Sequence, residues 1–261
     1  MSIYTPISHL GKEQAGAHVK TKTQPHKQYA LLPTHPSNSK STTSHTRYVF
    51  CSTEQSNGES FKPPNHTLPV NVLSREFILF SRMGKTDPNF TSLHDAGRLD
   101  IIHECIISSL FLSHGLRRDV TFHAILNGAP NPPQHIQING ETLYDVRTNI
   151  ETWQQILKKT LAGKSHPGIT KDKTAFETLL KNKSQTHQIY VLEEDGKNIT
   201  DLTFPPNSLF ILGDHVGLPK KAEEFTLRFG EKISLGKTPY LAASCITIIN
   251  YTLDHQFKPD S

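Results

Sequence analysis

Short apolar runs that alternate with longer helical patterns dominate the sequence from residue 75 onward. The longer segments repeat apolar residues every three or four positions, which is typical of buried helices. Strands that alternate with helices indicate the α/β class with a mainly parallel sheet. The predicted strands cover residues 75–80, 119–128, 187–196, 207–213 and 231–236, and the predicted helices cover residues 97–114, 149–162, 173–183 and 240–257.

One segment departs from this alternation. The stretch "QHIQINGETL" (134–143) has strand-like residues on either side of Asn139-Gly140. Asn-Gly is strongly favoured in two-residue hairpin turns, because both residues accept a positive φ at low cost. The segment is therefore predicted to form a β-hairpin.

Residues 1–74 differ from the rest of the chain in composition and charge. They hold seven basic and three acidic residues, whereas residues 75–261 hold 21 of each, so the formal excess of +4 lies entirely in the first part. This part is rich in Ser, Thr, Pro and His, and it cannot bury enough apolar area to offset its ordering entropy. The prediction is a disordered N-terminal extension, 1–74, followed by one folded domain, 75–261.

The extension allows several interpretations. It lacks the apolar core of a secretory signal, and its single arginine, Arg47, argues against a transit peptide. A dispensable tail is the simplest interpretation. The alternative is a weak electrostatic arm for RNA, because unstructured basic segments can hold polyanions.

The cysteines and the apolar runs bear on location. No run of about 18 apolar residues exists, so no membrane-spanning segment is predicted. The cysteines, Cys51, Cys105 and Cys245, are odd in number and have no CxxC spacing. They indicate neither a disulfide framework nor a zinc finger. The expected setting is cytoplasmic and reducing, with neither a membrane nor a metal as partner.

The last three predicted strands end alike, in turns that contain glycine. Leu192 is followed by Glu-Glu-Asp-Gly, Leu212 by Gly213, and Leu235 by Gly236. In open α/β sheets, ligands bind at the carboxyl ends of the strands, and glycine lets a ligand approach the backbone closely. Neither GxGxxG nor GxxxxGK(S/T) is present, so the sequence supports neither a dinucleotide site nor a P-loop.

Asp214-His215, within "FILGDHVGLP" (210–219), has three possible interpretations. A metal site would need two or three further ligands at suitable spacing, and none is near. A catalytic pair would need a nucleophile, and no GxSxG elbow or paired Cys–His arrangement accompanies it. A polar turn that orders a loop is therefore the preferred interpretation.

Three motifs together resemble a known family. They are "GRLDIIHECIISSLFLSHGLRRDVTFHAIL", "FILGDHVGLP" and "ISLGKTPYLAASCITIINYTLD". In this order they resemble the archaeal-type tRNA pseudouridine N1-methyltransferases, which belong to the SPOUT class of knotted RNA methyltransferases. The resemblance implies a mainly parallel sheet with a C-terminal trefoil knot in roughly residues 187–257, against the usual absence of knots. It also implies a homodimer formed through the knot.

The resemblance further implies S-adenosylmethionine as the cofactor. The cofactor would be bent in the knot and held mostly by backbone groups. By matching position, the residues implied for its pocket are Leu192, Gly213, Leu235, Gly236, Lys237, Thr238, Pro239, Tyr240 and Cys245. Cys245 is expected to pack there rather than act as a nucleophile, because it lies in an apolar helix.

The activity implied by the resemblance is methylation of N1 of pseudouridine in RNA, at position 54 in the T loop of tRNA. Asp100 is the candidate acceptor of the N1 proton, with Asp119 as an alternative, and Arg98 is the candidate stabiliser of developing negative charge. Arg117 and Arg118 are candidate phosphate ligands. The simpler interpretation is that Asp100 suits the first turn of a helix and that both later arginines face solvent.

Two competing functions remain open at this point. A ribosomal RNA pseudouridine N1-methyltransferase would use the same chemistry on a different RNA. A knotted RNA-binding protein without activity is the non-enzymatic alternative, although Gly213, Gly236 and Cys245 are all in place. Because the folded part carries no net charge, RNA binding predicts a local basic patch or a groove between two subunits.

Overall fold

The computed structural model describes residues 74–257, so the predicted disordered extension lies outside the described residues except for Ser74. We number the elements in chain order. The strands are β1 (Ser74–Ser81), β2 (Phe111–Leu112), β3 (Gly115–Leu116), β4 (Val120–Leu126), β5 (Gln134–Asn139), β6 (Ile169–Asp172), β7 (Gln188–Asn198), β8 (Asn207–Gly213) and β9 (Gly230–Ser234). The helices are α1 (Leu99–Leu110), α2 (Ile150–Leu161), α3 (Phe176–Lys183), α4 (Lys220–Thr226) and α5 (Ala242–Phe257).

Seven strands form one sheet in the order β6-β5-β4-β1-β8-β7-β9. The five strands from β4 to β9 in this order are parallel, and β5 and β6 add an antiparallel edge. The short strands β2 and β3 pair only with each other. The prediction of an α/β fold with a mainly parallel sheet is confirmed. The carboxyl ends of the parallel strands therefore lie at one end of the sheet.

Apolar side chains cover both faces of the sheet. Along β1, Phe77 and Leu79 join the core beneath α1, α2 and α5, whereas Ile78 and Phe80 join a second core beneath α3 and α4. Successive side chains of a strand point to opposite faces, so a strand buried on both faces is apolar at every position. Every helix within residues 74–257 is too short or too polar to cross a lipid bilayer.

The predicted hairpin around Asn139-Gly140 is wrong. β5 ends at Asn139 and pairs antiparallel with β4 and β6, and residues 141–143 form no strand. Neither Asn139 nor Gly140 has the positive φ that the hairpin turn requires. The Gly140 amide donates to the Val120 carbonyl (2.9 Å), so the chain turns toward β4 instead of doubling back along β5.

Two predicted element boundaries also differ. The helix expected over residues 97–114 is α1, which begins at Leu99 because Gly97 and Arg98 have left-handed backbones (φ 68° and 67°). It ends at Leu110, since the next residues pair with β3. The acidic turn expected after Leu192 lies inside β7, as an interruption of its pairing with β9 between Leu192 and Lys197. β6 and α4 were not predicted.

Candidate functional site

A pocket of about 760 Å³ opens at the carboxyl ends of β7, β8 and β9, and the first turns of α1 and α5 close its sides. This volume is within the range of small-molecule sites. Lys237 is exposed and does not line the pocket. The other predicted cofactor residues line it: Leu192, Gly213, Leu235, Gly236, Thr238, Pro239, Tyr240 and Cys245.

The loop after β8 forms one wall of this pocket. A side chain at Gly213 would place its Cβ 2.2 Å from the Leu218 amide nitrogen, so the returning loop itself requires glycine there. The buried Asp214 carboxylate accepts hydrogen bonds from the amides of Val216 (2.9 Å) and Arg82 (2.8 Å). The interpretation of Asp214 as a polar turn that orders a loop is confirmed.

The loop after β9 forms the facing wall. Gly236 has a φ of 99°, and its amide donates to the Ser234 hydroxyl (3.1 Å). A Cβ placed on Gly236 would meet no atom within 4 Å, so the space beside this backbone is open. A ligand can therefore lie directly against the backbone here, as glycine turns at strand ends permit.

Carboxylates dominate the charged groups of the pocket wall. Four glutamates (Glu104, Glu193, Glu194 and Glu223) and the buried Asp214 line it, whereas Arg98 is the one arginine or lysine of residues 74–257 that does so. Burial, reinforced by the negative charge of Glu223, raises the pKa of Glu193. This cluster of negative charge favours a ligand that carries positive charge.

Cys245 belongs to the pocket wall and not to a reactive centre. Burial raises the pKa of its thiol to about 11, and the Sγ atom lies 3.7 Å from the Tyr240 carbonyl oxygen. A thiol with a raised pKa carries little thiolate at neutral pH and is a weak nucleophile. The packing role expected for Cys245 is consistent with this environment.

Arg98 and Asp100 form an ion pair at the rim of the pocket. The Arg98 guanidinium donates from Nε to Oδ1 (3.0 Å) and from Nη2 to Oδ2 (3.0 Å) of Asp100. Burial alone would raise the pKa of Asp100, but the hydrogen bonds and charge of Arg98 hold it below its usual value. Arg98 lines the pocket, and it keeps Asp100 beside it.

The left-handed backbone at Gly97 and Arg98 sets this geometry. A Cβ at Gly97 would lie 1.8 Å from the Met83 carbonyl oxygen, so the chain passes too close to the loop after β1 for any other residue. Arg98 then turns back before α1 begins, and its side chain reaches Asp100 in the first helical turn. Left-handed backbone is uncommon outside glycine and points to a functional constraint at Arg98.

Arg117, Arg118 and Asp119 lie at the other end of the sheet, where β4 begins. Seven strand residues separate the two ends, a span of about 20 Å. Arg117 is held by the Asp254 carboxylate (2.8 and 2.6 Å), and Arg118 donates to the carbonyl of Gly140 (2.8 Å). Asp119 therefore lies too far away to share the Arg98 site within one chain, and the RNA-binding role of the two arginines stays a prediction.

Sequence reasoning missed several pocket residues. Glu104 and Glu223 lie on α1 and on the unpredicted α4, and only the packing of those helices brings them to the pocket. The Arg82 amide donates a hydrogen bond to Asp214 across 132 positions of sequence. No local sequence pattern could have predicted this contact. Among residues 74–257, no cluster of three or more His, Cys, Asp or Glu side chains could hold a metal ion.

Comparison with known proteins places this chain in a described family. Residues 74–257 match the family model described as "Putative SAM-dependent RNA methyltransferase". The match covers all the strands and helices of residues 74–257, including the loops after β8 and β9 that form the pocket walls. The same residues carry the three motifs on which the resemblance rested.

Curated archaeal relatives share about a third of their residues with this chain. A tRNA (pseudouridine(54)-N(1))-methyltransferase of Thermococcus kodakarensis is 36% identical over 197 residues, which are 69% of this chain and 98% of that protein. The protein of the same name from Methanocella arvoryzae is 35% identical over 195 residues, 70% of this chain and 100% of that protein. The one from Methanococcoides burtonii is 36% identical over 201 residues, 72% and 99% respectively.

A solved structure shares the fold at low sequence identity. Archaeoglobus fulgidus Nep1 bound to S-adenosylhomocysteine aligns with a TM-score of 0.55 and 13% identity, over 71% of this chain and 99% of that one. This likeness concerns the fold. The family match over residues 74–257 and the archaeal relatives agree with the motifs. The chain belongs to this family of S-adenosylmethionine-dependent RNA methyltransferases.

Proposed function

We propose that this protein transfers a methyl group from S-adenosylmethionine to N1 of pseudouridine at position 54 in the T loop of tRNA. The observation that carries the proposal is the Arg98–Asp100 ion pair at the rim of a glycine-lined pocket, in a chain of this family. The archaeal relatives described above are named for this reaction.

The pocket residues fit S-adenosylmethionine. The open backbone at Gly236 and the side chains of Leu192 and Leu235 offer apolar and flat contacts for an adenine ring. The wall carboxylates that form no ion pair within residues 74–257, Glu104 and Glu194 among them, complement the positive charges of the cofactor. When bound, S-adenosylmethionine supplies an electrophilic methyl group. The positions that would hold it are Leu192, Gly213, Leu235, Gly236, residues 238–240 and Cys245.

The reaction requires the loss of one proton from the substrate. Pseudouridine is joined to ribose through carbon, so N1 keeps a hydrogen that uridine lacks. We assign the acceptance of this proton to an oxygen of the Asp100 carboxylate, which is ionised at neutral pH because its pKa is lowered. We assign the stabilisation of the negative charge left on the uracil ring to the Arg98 guanidinium. An Arg98 side chain that turns to a uracil carbonyl loosens its hold on Asp100, which makes the carboxylate a stronger base.

The finer architecture is also a proposal. Residues 187–257 form a trefoil knot through which α5 is threaded, and two copies associate through this region. Leu241 (73% exposed), Tyr251 (63%) and Tyr240 (47%) leave apolar surface on α5 and just before it, which supports such a dimer. The free thiols of Cys105 and Cys245 support a reducing cytoplasmic location.

The decisive experiment compares two T-loop hairpins that differ only at position 54. The protein, labelled S-adenosylmethionine and each hairpin are incubated, and transferred methyl is located by nucleoside mass spectrometry. We expect N1-methylpseudouridine from the pseudouridine hairpin and no product from the uridine hairpin, whose N1 is blocked by the glycosidic bond.

Each alternative has its own outcome in this experiment. Methylation of the uridine hairpin would mean that another atom is attacked, and the substrate assignment would fall. Methylation of a ribosomal hairpin with pseudouridine, in preference to the tRNA hairpin, would move the assignment to ribosomal RNA. RNA binding without transfer to any of these substrates would indicate a knotted RNA-binding protein without activity.

A further inference from the structure

The charges of the folded part are unevenly distributed. Residues 147–173, which span α2 and β6, hold six basic and two acidic residues. The rest of residues 74–257 holds 14 basic and 18 acidic residues. The net charge of +4 on the segment and the net charge of −4 on the remainder therefore cancel. We call the six basic residues of this segment the basic strip: Arg147, Lys158, Lys159, Lys164, Lys171 and Lys173.

The basic strip keeps its positive charge in the folded state. None of its side chains forms an ion pair with a carboxylate of residues 74–257. Lys171 and Lys173 donate to the backbone carbonyls of Leu161 (3.1 Å) and Asn131 (2.6 Å), and Lys158 lies over the Phe90 ring. Such contacts hold a lysine in place without neutralising it.

Some lysines outside the strip, within residues 74–257, are neutralised. Lys232 binds the carboxylates of Asp195 (2.9 Å) and Glu223 (2.7 Å), and Lys183 binds Glu76 (2.7 Å). Within the strip segment, the carboxylate of Asp172 is occupied by His135 (3.1 Å). The lysines outside the strip are therefore paired in part, whereas no member of the strip has an ion-pair partner within residues 74–257.

The basic strip continues toward the pocket. The Gln154 side chain of α2 donates to the Thr91 carbonyl (2.9 Å), in the loop that leads to Arg98. The backbone carbonyl of Asn131 accepts the hydrogen bond from Lys173. The backbone amide of Asn131 donates to the Thr86 hydroxyl (2.8 Å), which lies in the same loop. β6 runs parallel to β4, because both are antiparallel to β5, so Lys173 lies at the pocket end of the sheet.

We propose that the basic strip binds the phosphate backbone of the RNA substrate and guides the target nucleotide to Arg98. This inference rests on the proposed function, because it concerns the RNA that the pocket modifies. A segment rich in unneutralised Lys and Arg is the charge pattern that recognises a polyanionic backbone without reading its bases. Arg117, in contrast, is neutralised by the Asp254 carboxylate.

The test replaces the exposed members of the strip that make no side-chain contact. The variant carries Arg147→Gln, Lys159→Gln and Lys164→Gln. The matched control carries Lys181→Gln, Lys220→Gln and Lys221→Gln, which are exposed, form no ion pair within residues 74–257 and remove the same charge outside the strip. Binding of a fluorescent T-loop hairpin to the full chain is measured by anisotropy over a range of salt concentrations, and S-adenosylmethionine affinity is measured by calorimetry.

We expect the strip variant to bind the hairpin about tenfold more weakly at low salt, and its log–log salt slope to fall by about one unit for each phosphate that it no longer neutralises. The KM for RNA should rise with kcat and cofactor affinity near wild type, while the control behaves like wild type. Equal losses of RNA affinity in variant and control, or an unchanged salt slope, would contradict RNA binding by the basic strip. Either result would leave the proposed methyl transfer unaffected. If RNA binding depends on the basic strip but the wild-type protein methylates no hairpin, the proposed function is contradicted. The RNA-binding role of the basic strip would still hold.

Discussion

At the scale of single residues, the Asp214 carboxylate joins two loops at the mouth of the pocket. It holds Val216 in the loop after β8 and Arg82 in the loop after β1. The second loop lies against Gly97, where the chain turns to present Arg98. Asp214 therefore shapes one wall of the pocket and also the approach to Arg98. A side chain at Gly213 would clash with the backbone of Gly217 and Leu218, so a Gly213→Val variant would report on this loop and not on ligand binding.

We expect Asp214→Ala to lower the free energy of unfolding by about 3 kcal/mol, because two amides lose a buried charged acceptor. Cofactor affinity should fall as the loop loosens, and Asp214→Asn should restore part of both. Urea unfolding and calorimetry measure the two effects. Glu224→Ala removes an exposed carboxylate from α4 as the control. Wild-type stability and affinity in Asp214→Ala would show that the loop is held by other contacts.

The roles of Asp100 and Arg98 can be separated from cofactor binding. We expect Asp100→Asn and Arg98→Ala each to lower kcat about 100-fold or more, with S-adenosylmethionine affinity near wild type. Raising the pH should partly rescue Asp100→Asn, because solvent can then deprotonate N1, and it should not rescue Arg98→Ala. Single-turnover assays across pH measure this. Wild-type turnover in Asp100→Asn would remove its role as the base.

At the scale of elements, a chain of polar contacts, buried except at Asp172, crosses four strands of the sheet. Glu76 on β1 accepts from His123 on β4 (3.1 Å), His123 contacts His135 on β5 (2.9 Å), and His135 contacts Asp172 on β6 (3.1 Å). Burial alone would raise the pKa of Glu76, but hydrogen bonds from His123 and His187 and the charge of Lys183 hold it far below its usual value. The chain ties the antiparallel edge strands to the parallel ones.

This chain predicts a loss of stability in acid. A carboxylate with a lowered pKa stabilises the fold above its unfolded pKa of about 4.5, and that stabilisation is lost as the pH falls below this value. Glu76→Gln should cost about 3 kcal/mol at pH 7, because Lys183 and the histidines lose their partner. Its unfolding free energy should also change less than that of wild type between pH 5 and pH 3. Urea titrations measure this, with Glu177→Gln as an exposed control, and parallel pH profiles for wild type and Glu76→Gln would contradict it.

At the scale of the whole molecule, the apolar cores on both faces of the sheet are built from residues 77–253. Both loops of the pocket and the basic strip lie within residues 74–257 as well. The sheet begins at Ser74, whose amide donates to the Pro206 carbonyl (3.0 Å). The folded domain and its candidate site therefore draw on one continuous part of the chain.

Removal of residues 1–70 should leave the melting temperature and cofactor affinity unchanged, because that composition supplies little apolar surface to a core. Thermal unfolding and calorimetry on the truncated chain measure this. A large fall in melting temperature would show that the extension contributes a structural element. A loss confined to RNA affinity, and greatest at low salt, would instead support its role as an electrostatic arm.

The sequence alone determined the features that depend on local pattern. The periods of apolar residues predicted the main strands and helices, and the glycines after Leu212 and Leu235 located the pocket, because backbone conformation depends on nearby residues. The three motifs indicated the family, and the family match confirms it. The resemblance also marked Arg98 and Asp100, which the structure brings together.

Only the tertiary structure decided the features that depend on residues far apart in the chain. The pairing of β5 with β4 replaced the local hairpin, because hydrogen bonds across the sheet outweigh the preference of one Asn-Gly pair. Arg117 meets Asp254, 137 positions away, whereas the basic strip meets no carboxylate of residues 74–257. No local sequence pattern distinguishes Arg117 from the arginine and lysines of the basic strip. Whether such a charge is neutralised is set by the packing that brings distant partners together.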